Sequence, residues 1–191
     1  MTPLLFETIK IENGKIDNIL WHNQRCNRSR LELFKAKTII DLKSYIEPPQ
    51  KGIYRCRIIY NQKVQSVEYI PYKQKKINSV KIIESQIDYS YKYNNRDELN
   101  QLITPNYDEV IIEKDGLLTD TTIANIAFYT GRVWITPKIP LLSGTIRAKL
   151  LDKNFLIPKN IKKEELQKFS HFALMNAMIG FQIQKNINIE P

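Results

Sequence analysis

Cysteine and histidine are scarce in this 191-residue chain, two of each. Cys26 and Cys56 show no metal-ligand spacing, and His22 and His171 are too few to hold a metal by themselves, so no metal site is expected. With no export pattern beside them, the two thiols read as free and reduced. Long apolar runs are missing as well. Nothing approaches the roughly eighteen apolar residues of a membrane-spanning helix, and no signal-peptide pattern is seen, so a soluble, cytoplasmic protein without a membrane partner is expected.

Acid is in deficit: 20 acidic residues face 29 basic ones, for a net charge of +9. A nucleic-acid binder of that charge would more often show a basic stripe with interleaved aromatics, or a known binding motif. The lysines are instead scattered, apart from Lys73-Gln74-Lys75-Lys76 and residues 159–163. No nucleic-acid partner is therefore expected, and the positive field suits a small anionic substrate.

The chain does have 42% hydrophobic residues, enough to bury a core in one domain or two small ones. Residues 4–11 read as a strand, which Asn13-Gly14 turns into a second strand over 15–20. His22 then opens a helix on which Arg25, Arg28 and Ser29 share one face. Helix-period apolar residues continue through 31–34 and 39–46 and stop at Pro48-Pro49. Residues 52–60 and 64–70 form a hairpin across Asn61-Gln62-Lys63, with Ile53, Arg55 and Arg57 on one side. Two arginines on one strand face are costly unless solvated or paired. Arg57 thus reads either as a receptor for a substrate carboxylate or as part of an exposed edge. Lysine and glutamine crowd residues 71–77, and the expected division is a first domain over 1–72, a linker over 73–77 and a second domain over 78–191.

In the second part, residues 80–85 form a strand leading to Lys92. Short β-branched runs at 110–112, 126–129 and 133–135 are separated by the turn pairs Asp115-Gly116 and Gly131-Arg132. Beyond Pro140, Ser143-Gly144-Thr145 stands where a helix cap belongs, before Ile146, Ala148, Leu150 and Leu151. A helix start presents backbone N–H groups and a positive dipole end, which suit a phosphate. Residues 158–161 read as a break and 163–169 as a short polar helix. Residues 172–181 are nearly continuously apolar, as in a buried strand and turn, and Asn176 among them would need partners if buried.

Asp120 closes one of these strands, five residues before Asn125, where a carboxylate can face a cleft; on the residues alone it also reads as a turn or cap residue. A lysine, an acid and a helix-start phosphate seat are the anchors that pyridoxal 5′-phosphate (PLP) requires for its aldehyde, ring nitrogen and phosphate. The order Lys92-(x)3-Arg96, Tyr107-Asp108-Glu109, Asp115-Gly116-Leu117-Leu118-Thr119-Asp120, Asn125-Ile126, Thr136-Pro137 and Leu142-Ser143-Gly144-Thr145-Ile146-Arg147 resembles the class IV aminotransferase family. These are the fold-type-IV PLP enzymes, among them branched-chain and D-amino-acid aminotransferases and 4-amino-4-deoxychorismate lyase.

The resemblance implies an α+β, D-amino-acid aminotransferase-like fold, with a small N-terminal α/β domain and a larger β-rich C-terminal one, in a homodimer with bound PLP. It assigns Lys92 as the catalytic lysine, Arg25 with the backbone of Thr145 and Ile146 to the phosphate, and Asp120 to the ring nitrogen. The family normally has Glu at that last place, and Gly-Ile-Thr-Arg where this chain has Gly144-Thr145-Ile146-Arg147. Arg57 and Asn176 are left for the substrate. Asn95-Arg96 and Asn176-Ala177 lean toward the lyase branch, which releases pyruvate and forms 4-aminobenzoate for folate synthesis. An aminotransferase of branched-chain or D-amino acids is the alternative, and a non-enzymatic basic nucleic-acid binder a remote third. The chain is a short form, trimmed in its first domain and tail.

Overall fold

A computed structural model of the chain describes residues 2–185 and 187–190. The architecture is α+β, mostly strands with few helices, in two compact units: Met1–Gln74 with Tyr91–Asn95, and Lys75–Ser90 with Arg96–Pro191.

The first unit contains β1 (Leu5–Glu12), β2 (Lys15–Ile16), α1 (Ile19–Phe34), β3 (Ile53–Tyr60) and β4 (Val64–Pro71). Its sheet runs β2-β1-β3-β4, antiparallel throughout. Asn13 and Gly14 both adopt positive φ (48° and 79°), the backbone that a tight hairpin demands. The strand expected to continue to Leu20 stops at Ile16. Asn18 turns left-handed (φ 57°), and the helix starts at Ile19, three residues ahead of His22.

Residues 39–46 also depart from expectation, forming only a 3-10 turn at Leu42–Tyr45. The reason lies on α1. Asn27 pairs with Ile40, its Oδ1 accepting from the Ile40 N–H and its Nδ2 donating to the Ile40 carbonyl, each at 2.8 Å. Asn23 Oδ1 accepts from Leu42 N at 2.9 Å. Backbone groups met by these side chains have no need of a helix. Along β1 the residues Leu5, Glu7, Ile9 and Ile11 are all fully buried, packed with Cys26, Leu42, Cys56 and Ile58.

The second unit contains β5 (Ser79–Glu84), α2 (Asp97–Gln101), β6 (Glu109–Lys114), β7 (Leu117–Thr121), β8 (Asn125–Tyr129), β9 (Trp134–Pro137), α3 (Thr145–Asp152), β10 (Leu156–Lys159), β11 (His171–Asn176), β12 (Gly180–Gln184) and β13 (Asn188–Glu190). The strand order is β10-β9-β8-β7-β6-β5-β13, and β11 joins β8 to β12. Phe128 lies at its centre, 5.1 Å from the Phe169 ring and 5.3 Å from Phe172, among Ile111, Leu118, Ile126 and Leu174. The break expected at 158–161 is partly strand: β10 lies parallel to β9, with Pro158 opposite Thr136. Proline is tolerated there because β10 is an edge. The polar helix at 163–169 is a 3-10 helix, Lys163–Lys168. Strand β13, with one apolar residue, gave no sequence signal and pairs parallel to β5.

Strands β7 and β8 meet through a single residue pair, Asp120 with Asn125. No helix among the described residues is long and apolar enough to cross a membrane.

Candidate active site

The residues singled out from sequence fall in two groups. Arg25, Arg57 and Lys92 belong to the first unit; Asp120, Thr145, Ile146 and Asn176 belong to the second.

Lys92 is carried by a short segment laid along the start of β1. Phe6 N donates to the Lys92 carbonyl at 3.0 Å, Asn94 N donates to Leu4 O at 2.8 Å, and Leu5 bridges Tyr93. Lys92 Nζ sits 4.5 Å from the centre of the Phe6 ring, and Arg57 Cζ lies 4.9 Å from the same ring. One aromatic side chain therefore carries two cations, an arrangement its negative faces favour. Arg57 Nη2 donates to Asn94 Oδ1 at 2.8 Å, while its buried Nε has no hydrogen-bond partner among the described residues. The arginine of β3 thus stands beside the lysine segment with a donor still to be met.

The opposite phase of β1 holds a cluster that the sequence reading passed over. Glu7, fully buried, accepts from Arg25 Nε at 2.9 Å and Nη2 at 2.5 Å, and its Oε2 lies 2.6 Å from His22 Nδ1. Burial alone would raise the Glu7 carboxyl; the Arg25 charge and the hydrogen bonds from His22 and Arg25 outweigh it and hold the pKa at about 2. Burial also keeps His22 below its ordinary value, against the raising effect of Glu7. The ring is then neutral at pH 7, with Nδ1–H donating to Glu7 and the Nε2 lone pair buried without a partner among the described residues. A signal was available: Glu7 falls in the buried phase of an otherwise apolar alternation, and an acid there demands a partner.

In the second unit, Asp120 is buried and engaged at both oxygens. Oδ1 accepts from Asn125 Nδ2 and Oδ2 from the Leu142 N–H, each at 2.8 Å. Burial pushes its pKa up to about 6, against the lowering effect of the Asn125 and Leu142 hydrogen bonds and the Arg147 charge. Such a carboxylate gains from a cation placed on it.

The segment after Leu142 opens α3 at Gly144, and no side chain caps that start and no acid occupies its first turn. The backbone N–H groups of Thr145 and Ile146 precede the first helical bond, from Ala148 N to Gly144 O at 2.9 Å. Thr145 is buried, and so is Arg147, whose Nη2 donates to Pro137 O at 2.7 Å while its Nε is unmet among the described residues. An uncapped helix start with a buried cation in its first turn is suited to an anion.

Asn176 is half-buried and has partners in a turn. Its Oδ1 accepts from Met178 N (2.9 Å) and Ile179 N (3.1 Å), and its Nδ2 donates to Ile123 O at 3.2 Å. Near the same loop, Arg96 Nη2 donates to Thr122 O at 2.7 Å, and Thr122 Oγ1 donates to buried Glu109 Oε1 at 2.7 Å. Among the described residues no cluster of histidine, cysteine and acid could hold a metal ion.

Comparison with known proteins bears on the arrangement. Residues 90–187 match the family model described as Amino-transferase class IV. An uncharacterized protein of Haemophilus influenzae is 39% identical over 184 residues, which span 92% of this chain and 98% of that protein. The crystal structure of a Haemophilus somnus protein, named as a candidate 4-amino-4-deoxychorismate lyase, superposes with a TM-score of 0.85 at 38% identity, covering 94% of this chain and 98% of its own. A PLP-bound hypothetical aminotransferase of Mycobacterium tuberculosis superposes with a TM-score of 0.78, covering 98% of this chain and 81% of its own. At 14% identity that likeness speaks for the fold alone. The α+β architecture is thus that of the fold-type-IV PLP enzymes, and by its family match and its near full-length relative the chain belongs to the class IV aminotransferase family.

Proposed function

We propose that the protein is a PLP-dependent lyase that acts on 4-amino-4-deoxychorismate, releasing pyruvate and forming 4-aminobenzoate, and that it works as a homodimer. One observation carries the cofactor assignment: a buried carboxylate, Asp120, is hydrogen-bonded directly to the segment that opens an uncapped helix. A ligand with a cationic ring nitrogen and a phosphate has use for both. The lyase assignment is supported by the Haemophilus somnus relative at 38% identity.

When bound, PLP supplies an aldehyde that condenses with amines and a cationic ring that draws off electrons. Lys92 Nζ would hold the aldehyde of that group, and as a free amine would serve as the base that moves a proton at the substrate carbon. The Asp120 carboxylate would pair with the ring nitrogen and favour its protonated form by opposite charge. The backbone N–H groups of Thr145 and Ile146 would hold the phosphate, and Arg25, held in one orientation by Glu7, would add its charge. Arg57 would receive a substrate carboxylate through its fork of donors, and Asn176 is assigned to the substrate as well.

Purified protein loaded with PLP is the test. An absorbance band at about 410–420 nm that disappears with borohydride, and is missing in Lys92→Ala, is the expected result. Turnover of aminodeoxychorismate to pyruvate establishes the lyase; amino-group transfer from branched-chain or D-amino acids to 2-oxoglutarate establishes the aminotransferase instead. Full turnover by Lys92→Ala sinks both.

A further inference from the structure

Asn125 opens β8, is 5% exposed, and is the residue that pairs with Asp120 in the β7–β8 ladder. Both hydrogens of its amide are spoken for. Nδ2 donates to Asp120 Oδ1 at 2.8 Å and to the Leu142 carbonyl at 2.8 Å. The Leu142 N–H returns to Asp120 Oδ2 at 2.8 Å, so Asp120, Asn125 and Leu142 close a ring of three hydrogen bonds. The other end of the amide faces Gly144, the residue before α3. A Cβ built on Gly144 would lie 1.8 Å from Asn125 Oδ1 and 3.0 Å from its Cγ, far inside van der Waals contact. Gly144 has an extended backbone (φ −72°, ψ 147°) that any residue adopts, so its conformation does not call for glycine. The space does, because the amide oxygen of Asn125 occupies it.

We infer that Asn125 is a positioning residue that ties the acid to the helix start, and that position 144 is glycine because Asn125 fills the place of its side chain. The inference rests on the proposed roles of Asp120 and of the α3 N-terminus. Only an amide of this length meets the demands. Aspartate would set acceptors against a carboxylate and a carbonyl, serine has one donor where two are used, and leucine leaves both acceptors unmet in a buried place. Through the ring, a displacement at Asp120 is transmitted to Leu142 and Gly144, so the two ends of a bound cofactor are held at one spacing. Asn125 touches no reacting atom in this scheme. It acts through Asp120 and the backbone of residues 142–144.

The test uses full-length apoprotein and protein reloaded with PLP. In Asn125→Ala, PLP affinity by fluorescence titration should fall about tenfold or more, the loss of one charge-assisted hydrogen bond. The pH at which the bound-cofactor absorbance titrates should shift, since the carboxylate has lost a donor that favours its charged form. A residue that merely closed a turn would lower the melting temperature and leave that titration where it was. Unchanged affinity and an unchanged titration overturn the positioning role. Should the alanine variant not fold, Asn125→Ser, which keeps one donor, is subjected to the same measurements.

A second measurement needs no cofactor. Gly144→Ala should lower the apoprotein melting temperature strongly in the native background and much less in an Asn125→Ser background, where the methyl group has room. An equal loss in both backgrounds overturns the packing half of the inference. If native protein shows no PLP binding at all, the cofactor assignment fails, whatever the Asn125–Gly144 coupling turns out to be.

Discussion

Glu7 and Arg25 form a forked ion pair inside the first unit, Oε1 accepting from Nε at 2.9 Å and Oε2 from Nη2 at 2.5 Å. Glu7 is fully buried and Arg25 is 8% exposed. Two parallel bonds fix the guanidinium plane, which a single contact would not do. The pair joins β1 to α1, so the arginine proposed for the phosphate is oriented from the core before any ligand arrives.

Removing one partner should be far worse than removing both. Glu7→Gln leaves a buried arginine without its counter-charge and should cost about 3–5 kcal/mol, read as a lowered urea midpoint. Replacing the pair together, as Glu7→Leu with Arg25→Met, should recover much of that loss in the same measurement while abolishing tight PLP binding. Equal stability of the single and native proteins would contradict the burial of the pair.

His22 predicts a loss of stability on mild acidification. Its folded pKa lies below the ordinary 6.5, so the unfolded chain binds the proton first. Its contribution is complete above pH 6.5 and declines as the pH falls below it. Melting temperatures of native protein and His22→Gln across pH 5–8 should show a slope below about pH 6.5 in the former that is weaker in the latter. Glu7 follows further down: its contribution is complete above about 4.5 and is lost as the pH approaches about 2.

Asp120 predicts the opposite sign. A carboxyl raised from 3.8 to about 6 by burial binds its proton more tightly folded than unfolded. Apoprotein stability should therefore fall as the pH rises from about 4 to about 6, by about 3 kcal/mol, and level off above. Asp120→Asn should lack that component. The gain in melting temperature on adding PLP should be larger above pH 6 than below it, because only the ionised acid attracts a ring cation. A pH-independent gain would remove Asp120 from the ring nitrogen.

Arg57 is tested by a change that keeps its charge. Arg57→Lys loses the Nη2 bond to Asn94 and the forked geometry at the Phe6 ring. For a carboxylate substrate, KM should rise about tenfold or more with a smaller change in kcat, as the loss of one forked pair implies. The PLP absorbance band should stay as it is. A kcat effect without a KM effect would point away from substrate binding.

Features set by neighbours along the chain could be read directly from the residues. Asn13-Gly14 and Asp115-Gly116 specify left-handed turn backbone whatever surrounds them, and both turns stand where expected. The β3–β4 hairpin likewise follows from alternation and a polar turn. Features set by distant partners could not be read so. Nothing within residues 39–46 reveals that Asn23 and Asn27 of α1 would take up their backbone groups, and nothing near Pro158 reveals that β9 would accept it as an edge partner.

The candidate site divides along the same line. Arg25, Lys92, Asp120 and Thr145 were nameable because their residue types and order match a family pattern. Glu7 was nameable in principle, as an acid in the buried phase of β1. Asn125 and Gly144 were not: each is ordinary by itself, and only the meeting of β8 with the start of α3 puts an amide oxygen where a side chain at 144 would have to go. Composition, alternation and turn chemistry act over a few residues and settle which elements form. Apart from the Asn125–Asp120 bond, the hydrogen bonds that orient an acid, an arginine and a helix start join residues 15 to 22 positions apart, and the folded chain alone decides them.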